Sequence, residues 1–80
     1  MSSNPLITEP VEAFASRLEA MTDDELFVTM NELEKASEAA RDDAAEILPR
    51  IALTESEIER RFPGQVLAPY RDWKQRQPLL

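Results

Sequence analysis

Neither cysteine nor histidine occurs in these 80 residues. Without cysteine there can be no disulfide, and without both there is no zinc finger, imidazole metal site or thiol nucleophile. An all-carboxylate cation site survives on composition, but no aspartate-rich loop with a turn glycine goes with it. Glycine is nearly missing too: Gly64 stands alone, which argues against a hairpin-rich β fold, and no stretch alternates as a strand would. No apolar run approaches the roughly 20 residues that cross a bilayer. The N-terminal MSSNPLITEP lacks the basic and apolar regions of a signal peptide. The expectation is a cytoplasmic chain with no membrane partner and no cofactor.

Basic side chains are scarce as well, 9 against 16 acidic ones, for a net charge of −7. The imbalance is local. Residues 1–46 carry twelve carboxylates against Arg17, Lys35 and Arg41, whereas residues 47–80 carry four against six basic groups. An acidic body of this kind repels nucleic acid and anionic lipid and is drawn to basic surfaces. No direct nucleic-acid contact is therefore expected of it. A chain this short, with no covalent or metal staple, has a stability ceiling on the order of 3–5 kcal/mol. It must pack its helices well, pair with a copy, or dock on something larger.

What is present is helical periodicity. Leu26, Met30, Leu33, Ser37, Ala40, Ala44, Ile47 and Ile51 are spaced alternately four and three apart, one apolar seam on one helix side. The intervening Glu32, Glu34, Glu38, Asp42, Asp43 and Glu46 read as an anionic face. Thr22-Asp23-Asp24-Glu25 forms a capping box, with Met21 and Leu26 as its hydrophobic staple. From there an unbroken helix is expected over 23–48, roughly 37 Å long. A loose lead-in (1–8), with Thr8 as N-cap, precedes a first helix over 9–20 carrying Val11, Phe14, Ala15 and Leu18. Pro49 either kinks this helix or ends it, and Thr54-Glu55-Ser56-Glu57, which repeats the capping-box pattern, favours a break. A third helix over 49–62 then stops at Phe62-Pro63-Gly64, and Val66, Tyr70 and Trp73 mark a short fourth over 66–76.

Little of this is catalytic. Ser37 and Lys35, a hydroxyl and an amine, lie two apart and do not share a helix face. Asp42 and Glu46 do share one, but on a convex helix in water two carboxylates only repel. The small seam residues Ser37, Ala40 and Ala44 admit a close second helix. That helix is supplied either by the chain folding back on itself or by a homodimer along the Leu26–Ile51 seam. In the C-terminal part Arg60, Arg61, Phe62, Tyr70, Arg71, Trp73, Lys74 and Arg76 interleave cations with aromatics. Core packing with salt links accounts for that pattern more simply than base stacking or an interface does.

The helix stop Ile58-Glu59-Arg60-Arg61-Phe62-Pro63-Gly64, on a small acidic helical chain, resembles one found among phage-encoded inhibitors of host defence, including anti-CRISPR proteins. That resemblance implies non-catalytic inhibition by covering a nucleic-acid- or nuclease-binding surface of a Cas protein, and it carries no binding residues over. The expected fold is all-α, a three- to four-helix bundle around one long central helix. The expected function is docking on the basic surface of a larger host protein. Glu32, Glu38, Asp42, Asp43, Glu46, Tyr70 and Trp73 are the partner-binding candidates. A self-associating phage or plasmid accessory factor is the alternative, and a nucleic-acid regulator using the basic tail a second.

Overall fold

The structure, a computed structural model, describes residues 9–39 and 44–77. In chain order these form α1 (Val11–Ala20), α2 (Asp23–Ala39), α3 (Ala44–Arg61) and α4 (Ala68–Gln75), an all-α bundle with no strand among the described residues. The expected lead-in over 1–8, its Thr8 cap, Ala40, and the candidates Asp42 and Asp43 lie outside the described residues.

The start of α2 forms as its sequence dictates. Glu25 N–H donates to Thr22 Oγ1 at 3.1 Å, and Thr22 N–H donates to the Glu25 carboxylate at 2.9 Å. Two donors that a helix start leaves without intrahelical partners are thereby satisfied reciprocally. α1 begins after Pro10, whose carbonyl accepts from Phe14 N–H at 2.9 Å. Its missing N–H costs nothing at that place.

The long rod over 23–48 is not what forms. α2 ends at Ala39, a new helix runs from Ala44, and the two lie antiparallel: Arg61 Nη1, at the end of α3, donates to Asp23 Oδ1 at 2.9 Å. A continuous helix would set those residues roughly 57 Å apart. The physical reason lies in the seam. Stretched out, it would leave Leu26, Met30, Leu33, Ile47 and Ile58 in water, whereas folding back buries all five to 2% exposure or less. Each such side chain is worth about 1.5–3 kcal/mol on burial. Leu26, Met30, Leu33 and Ile47 of the seam are thus covered from within one chain, while Ser37, Ala44 and Ile51 stay half-buried.

Pro49 therefore sits inside α3 and does not end a helix. It is the sixth residue of that helix, so the ring forfeits the single bond to the Ala45 carbonyl close to a terminus that is short of bonds anyway. Thr54-x-x-Glu57 is no cap either. Thr54 is fully buried in mid-helix, its hydroxyl donating to the Arg50 carbonyl at 2.8 Å, and the Glu57 carboxylate is taken by Arg60 and Arg61.

α1 contributes Phe14 and Leu18 to the core, α2 adds Phe27 to its seam residues, and α4 brings Tyr70 and Trp73. Phe27 is the hub of the aromatic end, with its ring centroid 6.0 Å from Phe62, 5.9 Å from Tyr70 and 5.8 Å from Trp73. Arg61 ties three helices together. Besides Asp23 it reaches Glu57 at 2.7 Å and, at 3.0 Å, the Leu18 carbonyl near the end of α1, which also accepts from Met21 N–H.

Candidate protein-binding surface

Most of the cations are spent inside the molecule. Arg17 forks onto Glu9 at 2.7 and 3.0 Å. Arg60 and Arg61 share Glu57, and Lys74 reaches Glu34 at 3.2 Å. Arg50 is 3% exposed, donating to the Glu46 carbonyl at 2.7 Å and to the Glu9 carbonyl, with its guanidinium 5.9 Å from the Phe14 ring centroid. These pairings shift the acids. Hydrogen bonds from Arg60 and then Arg61 hold the Glu57 carboxyl below its ordinary range, against burial pushing it up. The Arg17 fork does the same for Glu9. Burial, with the Glu34 carboxylate as hydrogen-bond acceptor 2.7 Å away, pushes the Tyr70 phenol well above its usual 10.

Two of the expected partner-binding residues are therefore corrected. Tyr70 is 2% and Trp73 6% exposed; both belong to the core, Trp73 reaching the surface only as part of the lining of an open groove. Arg60, Arg61 and Lys74 are paired to carboxylates, while Arg71 and Arg76 are exposed. Glu32, Glu38 and Glu46 are exposed as expected, but they do not form one stripe. Glu46 stands on α3, across the fold-back from the other two, and its carboxylate lies 3.7 Å from Arg50. Glu32 and Glu38, six residues apart on α2, point about 120° away from each other.

What the fold leaves uncovered lies elsewhere. On α3, Ile47, Arg50, Thr54, Glu57 and Ile58 face inward, so Ala45, Leu48, Pro49, Ala52, Ser56 and Glu59 line the outward side. Leu48 is 56% exposed there. The strip runs down into a groove of about 490 Å³ lined by Ala52, Glu55, Ser56, Glu59, Val66 and Leu67. Among the described residues no cation lines this groove, and Glu59 also accepts from Gly64 N–H at 2.9 Å, which fastens the turn after α3 to the helix.

That turn contains the strained point of the backbone. Gly64 has φ 79°, which glycine adopts freely. Val66 has φ 56° with a β-branched side chain, a conformation that costs of order 1–3 kcal/mol. Its side chain is nevertheless 65% exposed, so little packing offsets the strain. Sequence reasoning placed Val66 on the inward face of a fourth helix with Tyr70 and Trp73. The helix begins only at Ala68, and Pro63-Gly64 was the one local sign of a turn nearby.

A larger groove of about 530 Å³ lies between the end of α1 and the start of α2, lined by Ala20, Met21 and the half-exposed Val28. Of its polar rim, Arg17 is committed to Glu9, Glu25 to the cap, and the Thr29 hydroxyl to the Glu25 carbonyl at 2.9 Å, while Asp24 is exposed.

Among the described residues no group of three or more acids is placed to hold a metal ion, and no helix is long and apolar enough to cross a membrane. Compared with family models, with curated proteins and with solved structures, the chain matches none.

Proposed function

We propose that this chain is a non-catalytic protein-binding inhibitor or regulator, which docks an anionic helical surface on the basic, nucleic-acid-binding face of a larger protein. One observation carries the reading. Arg17, Arg50, Arg60 and Arg61 are taken up by internal pairing, while Glu55 and Glu59 stand outward beside an uncovered apolar strip on α3. Apolar area supplies affinity, and carboxylates around it select a positively charged partner and speed encounter. The inhibitor class that the Ile58–Gly64 stop resembles supplies the kind of partner, a phage target that handles nucleic acid. Catalysis has no support from the chemistry: with no His or Cys, the phenol of Tyr70 is buried and its proton held.

The test uses tagged full-length chain in bacterial lysate, with quantitative mass spectrometry of what it captures. Glu55→Lys/Glu59→Lys is compared with Glu32→Lys/Glu38→Lys, both checked for unchanged circular dichroism. The first pair is expected to lose a basic partner that wild type retains at low salt and releases at high salt. Retention of the same partner by both double variants would count against an anionic docking surface altogether.

A further inference from the structure

We propose that the outward face of α3 and the turn at Val66 form a docking groove for one kind of occupant: an amphipathic helix of another protein with a leucine-type stripe flanked by lysine or arginine. This rests on the protein-binding reading above and specifies its place and ligand.

Three features select that occupant. The face extends from Ala45 to Glu59, about 21 Å of helix at 1.5 Å per residue, matching roughly four turns of a partner helix laid along it. Neighbouring backbone on this face is helical and hydrogen-bonded internally, so an extended segment cannot add as a strand. Recognition must use side chains at helical spacing. The charge is one-sided too. Glu55 and Glu59 border the groove and no cation among the described residues lines it, so an acidic or neutral stripe would bury these carboxylates unpaired, whereas a basic flank pairs them.

Val66 identifies the anchor. A β-branched residue at φ 56° with most of its side chain in water brings the free molecule strain and no compensating burial. Seated against an apolar stripe, the same side chain becomes the wall that closes the lower end of the groove opposite Ala52. Val66 is thus held at a cost to the fold and repaid in the complex.

The experiment uses the full chain and an 18-residue helical peptide with leucines at i, i+3, i+4 and i+7 and lysines on both flanks. A second peptide has glutamate in place of every lysine. Binding is followed by amide chemical shifts and calorimetry, and stability by urea unfolding. The lysine peptide is expected to move the resonances of Ala52, Glu55, Ser56, Glu59, Val66 and Leu67, and the glutamate peptide to move none. Val66→Ala should weaken binding about tenfold without stabilising the fold. Val66→Gly should weaken it equally while raising the urea midpoint, because glycine relieves the positive φ. Equal binding of both peptides, shifts confined to the α1–α2 groove, or wild-type affinity in both Val66 variants would overturn the groove assignment. None of those outcomes would touch capture of a basic partner from lysate by Glu55 and Glu59, which the charge-reversed pair reads on its own, so the two readings fail separately.

Discussion

Glu57 illustrates how a single side chain changes meaning once its neighbours are known. Its position three residues after Thr54 reads as half of a capping box, yet it is 7% exposed and clasped by Arg60 and Arg61 from the next turn. Being held below the ordinary carboxylate range, it contributes stability above its unfolded pKa near 4.5 and loses it as pH falls through the depressed folded value. Glu9, on its Arg17 fork, acts with the same sign. Urea unfolding followed from pH 7 to pH 2 should therefore lose stability below about pH 4.5. In Glu57→Gln that descent should be shallower, starting from a lower value at pH 7. An identical slope in the two proteins would mean that the arginines do not hold the carboxylate. Tyr70 and Trp73 carry a similar lesson. Aromatics among arginines look like an interface in the sequence, but in so small a chain the core claims them first.

Among the elements, α2 was legible and α3 was not. The start of α2 announces itself through local chemistry, Thr22 and Glu25 bonding each other, and its apolar spacing carries through Leu33 without competition. The join between α2 and α3 has no glycine and no proline to mark it. Its only sequence signal is Asp42-Asp43 ahead of Ala44, a residue type that favours helix starts. Pro49 drew attention to the wrong place, because its cost depends on where in a helix it falls. In the second turn of α3 the forfeited bond is near the terminus, and Ile47, Ile51, Thr54 and Ile58 keep their spacing through it. The ring still removes a donor, so Pro49→Ala should stabilise the fold by about 1–3 kcal/mol in urea unfolding. A destabilised variant would imply that the ring contributes more, through packing or by restricting the unfolded chain, than the lost bond costs. The outward strip was hidden for a related reason: Ala45, Leu48 and Ala52 read as ordinary helix formers until the fold-back fixes which side faces the core.

For the molecule as a whole, everything turns on α2 and α3 lying antiparallel. An apolar seam with small residues at its middle is equally compatible with a chain that closes on itself and with two chains that lie along each other; periodicity cannot distinguish them. The contacts that bear on it join distant parts of one chain: Arg61 to Asp23 and to the Leu18 carbonyl, Tyr70 to Glu34, Arg50 to the Glu9 carbonyl. Each would be broken in a straight rod and exchanged between copies in a swapped dimer. Nitroxide labels at Asp24→Cys and Arg60→Cys, both exposed, read this directly by pulsed electron–electron resonance. A continuous helix would hold the two sites roughly 54 Å apart. The closed hairpin places them beside the Asp23–Arg61 contact, well under half that distance, and dilution with unlabelled chain should leave the value unchanged. A long distance, or a short one that disappears on dilution, would return the seam to an intermolecular role. It would also remove the outward face of α3, since that face exists only because the opposite side of the helix is occupied by α1 and α2 of the same molecule.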